Sequence, residues 1–167
     1  ENSCTFWLTG LSSSGKTTLA KTLLGDLIKK GISNVIILDG DELRKKINNF
    51  KYDEKSREKI GIIKAQMAEK ENQQGNNVIV TGIASKKAWR QDYRNIVKNY
   101  FEVYLKCDPE ECSKRDYKQQ YSKFIQEKSE NFPGITDQYE EHDKTDLILN
   151  TELLSKKECS KKLINFV

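Results

Sequence analysis

Histidine is nearly missing from this chain: His142 is the only one in 167 residues. The four cysteines, Cys4, Cys107, Cys112 and Cys159, include no C-x-x-C pair. Together these absences remove the His/Cys spacing of a metal site. Two disulfides are possible by count, but intracellular enzymes keep their thiols reduced, so Cys107 and Cys112 read as small packing residues. Proline is scarce, at two residues, and carries no functional message. No apolar run approaches bilayer-spanning length, and no charged head, apolar stretch and small-residue cleavage site occur together. A soluble, cytoplasmic protein with no membrane partner is therefore expected. Lysines and acids are interspersed, the formal net charge is only +4, and no basic block or aromatic–basic interleaving points to nucleic acid. With no repeat, linker or low-complexity tract, residues 1–167 read as one domain, long enough to bury a core without staples.

Against these absences stands one complete pattern. Gly10-Leu11-Ser12-Ser13-Ser14-Gly15-Lys16-Thr17 matches G-x-x-x-x-G-K-[ST]. A short apolar run, Cys4–Thr9, precedes it, and helical spacing follows from Thr18. Strand, glycine loop and helix form the context in which this pattern becomes a phosphate cradle. The glycines let backbone N–H groups close around a polyphosphate, and the helix turns its positive end to the same anion. Gly10, Ser12, Ser13, Ser14, Gly15, Lys16, Thr17 and Thr18 are thus the expected ATP-binding residues. Lys16 reaches the β/γ-phosphates and the Thr17 hydroxyl ligates Mg²⁺. Part of the surplus positive charge suits anionic nucleotides.

Five short apolar runs, Thr5–Thr9, Val35–Leu38, Val78–Thr81, Phe101–Lys106 and Leu147–Asn150, alternate with helical ones. The helical segments are Lys16–Lys30, Asp41–Asn48, Asp53–Gln74, Lys86–Lys98, Pro109–Arg115 and Ser155–Phe166. That alternation predicts an α/β fold: a five-stranded parallel sheet with helices on both faces, in three layers. Ligands of such sheets bind beyond the carboxyl ends of the strands. The polar stretch 116–143 interrupts the alternation and reads as a lid.

The second strand run ends in Leu38-Asp39-Gly40-Asp41. Two carboxylates around a glycine suit Mg²⁺–water contacts and orientation of an attacking hydroxyl; a turn with an Asp helix cap is the simpler alternative. Arg44, one helical turn beyond Asp41, is placed to grip phosphates of an acceptor. The third strand ends Thr81-Gly82-Ile83 without the usual Walker-B acid, so Asp39 and Asp41 must cover that role. No Ser/His/Cys nucleophile is needed, because phosphoryl transfer depends on positioning and charge stabilisation.

Gly10–Thr17, Leu38–Asp41 with Arg44, Arg115-Asp116 with Lys118 and Tyr121, and Asn131–Ile135 with Tyr139-Glu140 occur in order. This series resembles the adenylylsulfate kinases, which phosphorylate the 3′-hydroxyl of adenylyl sulfate. The resemblance runs from the first strand to the last helix. It implies a P-loop kinase fold, Mg·ATP as donor and, in many members, a homodimer. By that likeness Arg115 packs on the donor adenine. Tyr52 and Phe132 match aromatic positions that sandwich the acceptor base, Arg44 and Arg57 match acceptor-phosphate arginines, and Lys118 matches a lid lysine. An aromatic pair holds a flat base at roughly 1–3 kcal/mol per stack, and Arg offers planar, bidentate donors to phosphate. Tyr52 and Phe132 as core residues, and Arg57 as a helix-surface residue, remain the plainer readings.

The departures concentrate at one end of the acceptor. Where the family carries R-E-E-N-I-R-R, this chain reads Arg57-Glu58-Lys59-Ile60-Gly61-Ile62-Ile63. Where it carries F-I-S-P-[YF]-R, this chain reads Ile83-Ala84-Ser85-Lys86-Lys87-Ala88. Both changes remove polar groups around the sulfate, with Lys86 or Lys87 as the candidate replacements. This profile looks like the cytidine diphosphoramidate kinases, relatives whose acceptor ends in an amide nitrogen. The expected function is ATP-dependent phosphorylation of a ribose 3′-hydroxyl on a nucleoside diphosphate-type acceptor, with Lys16, Asp41 and Asp39 catalytic. An adenylylsulfate kinase, and a nucleotide-binding module without turnover, are the alternatives.

Overall fold

The computed structural model describes residues 2–48, 53–115, 138–141 and 144–166. Its strands are β1 (Thr5–Thr9), β2 (Val35–Asp39), β3 (Asn77–Gly82), β4 (Tyr100–Lys106) and β5 (Leu147–Asn150). Its helices are α1 (Lys16–Lys29), α2 (Gly40–Lys46), α3 (Glu54–Gln73), α4 (Lys87–Ile96), α5 (Pro109–Lys114) and α6 (Lys156–Phe166). The sheet order is β2-β3-β1-β4-β5, and every pairing is parallel. The P-loop strand β1 is therefore central, and its carboxyl end opens between those of β3 and β4.

Successive side chains on a strand face opposite sides, and β1 divides the core accordingly. Phe6 and Leu8 pack with Leu19, Leu23 and Leu27 of α1 and Leu163 of α6. Trp7 turns to the other face, among Ala65 and Ala68 of α3 and Trp89 and Tyr93 of α4. Val78 and Val80 of β3 join Trp7, while Ile79 joins the first cluster. This explains why the runs of β1 and β3 read as uninterrupted apolar segments: both faces are covered.

A buried charge cluster anchors α4 to the sheet. The Glu102 carboxylate of β4 accepts from Tyr100 Oη at 2.9 Å and from Thr145 Oγ1 at 2.7 Å. Arg90 and Arg94 of α4 lie 3.6 and 3.9 Å from it. Arg90 also donates to the carbonyls of Ala84 and Glu140. Nothing in sequence spacing announces this network, because its members come from three separate elements. Its effect is to fix the segment after β3, where residue Ala84 holds a positive φ of 45°. Tyr139 reinforces that segment: its ring stacks on Tyr104 at 4.4 Å between centroids, and its hydroxyl lies 3.0 Å from Thr9 Oγ1. Thr9 Oγ1 in turn donates to Ile83 O at 2.6 Å.

All four cysteines are free. Cys107 and Cys112 pack with Leu11, and burial pushes the Cys112 thiol up to about 12. That is an inert packing thiol rather than a nucleophile.

Candidate phosphate and acceptor site

The loop between β1 and α1 is shaped by three residues in the left-handed half of backbone space. Ser13 has φ 63°, Gly15 has φ 106° and caps α1, and Gly10 has φ 151°. A Cβ on Gly10 would meet Leu105 O at 2.6 Å, so the chain approaches β4 too closely for any side chain. No side chain caps α1 and no acid lies in its first turn. The orphan amides of that helix end and its positive dipole end are thereby directed to an anion. Lys16 Nζ donates to the loop carbonyls of Gly10 at 2.9 Å and Leu11 at 2.5 Å, which draws the ammonium over the loop.

The loop residues Ser12, Ser13, Gly15, Lys16, Thr17 and Thr18 line one continuous pocket with Asp39, Asp41, Arg44 and Arg57. Gly10 and Ser14 support the loop from behind. Asp39 is both the last residue of β2 and the cap of α2, its Oδ1 accepting from Asp41 N at 2.9 Å. The helix-cap alternative is what the structure shows, and it leaves room for the catalytic reading, since capping fixes the carboxylate pair at the pocket wall. Among the described residues no three His, Cys, Asp or Glu side chains cluster as a metal cage. The site fits Mg²⁺ in the manner that ion prefers, with one hydroxyl, nearby carboxylates, waters and phosphate oxygens.

Arg44 and Arg57 are only 6% and 8% exposed, and both line the pocket. Arg57 is therefore no helix-surface residue; its guanidinium lies 5.5 Å from the Trp89 ring. Arg115 stands apart from the pocket lining. Its Nε donates to Glu111 Oε1 at 3.1 Å and its Nη2 to Thr151 O at 3.1 Å, tying α5 to the turn after β5. Tyr52, Lys118 and Phe132 lie outside the described residues, as does the segment 116–143 apart from residues 138–141.

The end of the pocket where the sequence departs from its relatives is rebuilt rather than hollow. Ile60, Gly61, Ile83 and Ala84 line it together with Trp7, Trp89 and Tyr93. Tyr93 stacks on Trp7 at 4.3 Å between centroids. A Cβ on Gly61 would fall 1.8 Å from Tyr93 Oη, so glycine inside α3 is what admits the ring. Glycine there costs the helix about 1 kcal/mol, offset by an aromatic pair worth about 0.5–1.5 kcal/mol beyond its buried area.

One residue escaped the sequence reading. Lys64 of α3 is 5% exposed, lines the same pocket, and donates from Nζ to Thr81 O at 2.8 Å. Burial, with help from Arg44, pushes its pKa down to about 8 against the opposing pull of Asp39 and Asp41. The signal was available: Arg57, Ile60, Gly61, Lys64, Ala65 and Ala68 form one helical stripe, and a lysine within an apolar stripe is out of place on a solvated face. Lys86 is half-buried and Lys87 exposed, and neither lines the pocket. The lysine that α3 brings to this end of the pocket is Lys64; Lys86 and Lys87 do not line it.

Comparisons with known proteins agree with this geometry. The family description "Adenylylsulphate kinase" matches residues 2–150. A cytidine diphosphoramidate kinase of Campylobacter jejuni is 37% identical over 86% of this chain and 84% of its own length. A probable adenylyl-sulfate kinase of Bacillus subtilis is 38% identical over 96% of this chain and 83% of its own. Among solved structures, the Mycobacterium tuberculosis APS kinase in complex with AMPPNP and APS superposes with a TM-score of 0.90 at 29% identity, covering 99% of this chain and 97% of that one. Sheet order, phosphate loop and these likenesses converge: the chain belongs to the adenylylsulphate kinase family of P-loop nucleotide kinases.

Proposed function

We propose that the protein transfers the γ-phosphoryl group of ATP to the ribose 3′-hydroxyl of a nucleoside diphosphate-type acceptor, and that cytidine diphosphoramidate is preferred over adenylyl sulfate. In this reading Lys16 and the loop amides hold charge on the transferring group. Thr17 holds Mg²⁺, which neutralises phosphate charge when bound. Asp41 orients or deprotonates the acceptor hydroxyl, Asp39 keeps Asp41 in register, and Arg44 and Arg57 bind acceptor phosphates. For Tyr52, Phe132, Lys118 and Arg115 the roles rest on the resemblance alone.

The observation that carries the acceptor choice is the apolar and aromatic lining contributed by Ile60, Gly61, Ile83, Trp89 and Tyr93. The two curated relatives are nearly equal in identity, so their names do not discriminate. A sulfate oxygen facing this lining would lose charge-assisted bonds worth about 1.5–3 kcal/mol each. Lys64 is the one feature that favours the adenylyl sulfate reading, since it returns a cation to the region. The test is a side-by-side assay of ADP release. We expect kcat/KM for cytidine diphosphoramidate to exceed that for adenylyl sulfate by at least ~100-fold, about 2.7 kcal/mol in transition-state binding. Equal or reversed values would make the protein an adenylylsulfate kinase.

A further inference from the structure

We propose that Lys64 is an acceptor-binding residue: its ammonium, at the carboxyl end of β3, takes an anionic phosphate oxygen of the acceptor nucleotide and so selects phosphate-bearing acceptors over bare nucleosides. This rests on the pocket being the acceptor side of a kinase, but not on which base the acceptor carries.

Three observations converge. The first is position. Lys64 Nζ lies where the strand ends of β2 and β3 meet the pocket, and Thr81 and Gly82 there lack the acid that other P-loop enzymes place at this point. The second is a space built around the ammonium. A Cβ on Gly82 would come within 2.3 Å of Nζ, and one on Gly40 within 3.5 Å. Glycine at the end of β3 leaves the ammonium its present place, while a side chain at Gly40 would only touch it. The third is an imbalance of donors. Among the described residues the ammonium has one hydrogen-bond acceptor, Thr81 O, which takes one of its three N–H bonds. The indole Nε1 of Trp7, whose ring centroid is 5.5 Å from Nζ, is buried with no hydrogen-bond partner. A wall that offers donors and few acceptors complements the oxygens of an anion.

A buried ammonium is costly unless paired. The surrounding charges are Asp39 and Asp41 from the end of β2 and start of α2, Arg44 of α2, Lys16 of the loop and Arg57 of α3. Asp39 is held by the Asp41 amide, and Lys16 by loop carbonyls. A phosphate oxygen arriving with the acceptor would add a directly bonded anion to the more general pull of Asp39 and Asp41. It also draws the acceptor toward Asp41.

The test uses three proteins, wild type, Lys64→Met and Lys64→Arg, each saturated with Mg·AMP-PNP. Affinity for CDP and cytidine, and for adenylyl sulfate and adenosine, is read by ligand-observed NMR, which reaches millimolar binding. Lys64→Met should weaken the phosphate-bearing member of the bound pair by about 10- to 100-fold. Affinity for the nucleoside and for AMP-PNP should stay unchanged, and Lys64→Arg should recover part of the loss. An equal loss for nucleotide and nucleoside, a matching loss of AMP-PNP, or wild-type binding in Lys64→Met overturns the assignment. Circular dichroism of each variant shows that the fold is retained. If the adenine pair binds and the cytosine pair does not, the acceptor reading fails while the role of Lys64 is still decided on the adenine pair.

Discussion

Lys16→Ala is expected to lower kcat by at least about 10²–10³-fold while the protein stays folded. The magnitude follows from removing one preorganised donor from a site where charge develops in the transition state. The fold should tolerate the change because Lys16 Nζ bonds to the loop carbonyls of Gly10 and Leu11, not to the core. The backbone turn itself is held by Gly10, Ser13 and Gly15 and by the bond from Ser14 N to Leu11 O at 3.1 Å. The check is acceptor-dependent ADP release beside a thermal melt. A folded variant with near-normal turnover would mean that this loop does not serve phosphoryl transfer.

Asp41→Asn should be the second large effect, lowering kcat by roughly 10²–10⁴-fold with little change in KM for either substrate. Its proposed task is realised only as the hydroxyl attacks, so the loss belongs to the transition state and not to binding. Asparagine keeps the shape of the side chain, and the backbone N–H of residue 41 still satisfies Asp39 Oδ1, so the start of α2 should survive. Steady-state kinetics separate the two parameters. An unchanged kcat with weakened ATP binding would instead make Asp41 a nucleotide or metal anchor.

The strands were legible because their apolar runs have sharp ends, even though only the inner strands are largely buried and the edge strands β2 and β5 are partly exposed. The structure adds only a residue at some edges: Asp39 joins β2, Asn77 and Gly82 flank β3, and Tyr100 opens β4. The phosphate loop was legible because its chemistry demands contiguous residues. Asp39, Asp41 and Arg44 were legible for the same reason, being close in sequence. What could not be read was assembled across distance. The Glu102 cluster joins α4, β4 and the approach to β5. The proposed acceptor end joins Trp7, Gly61, Lys64, Gly82 and Tyr93 from four elements. Residue by residue, Gly61 looked like a lost polar group and Lys64 drew no reading at all. Only packing shows that one makes room for Tyr93 and that the other is a buried charge.

The chain has two tryptophans, and both Trp7 and Trp89 line the pocket. Each carries a cation near its ring, Lys64 Nζ at 5.5 Å from Trp7 and the Arg57 guanidinium at 5.5 Å from Trp89. Indole emission responds to neighbouring charge and to water, and no tryptophan elsewhere contributes a constant background. Tryptophan emission from this chain, excited away from its tyrosines, is therefore confined to the site where its acceptor is proposed to bind. An anion that pairs with either cation changes the field at an indole, so occupancy can be followed optically in the unlabelled protein. The same signal offers a way to rank candidate acceptors, including ones too slow to turn over.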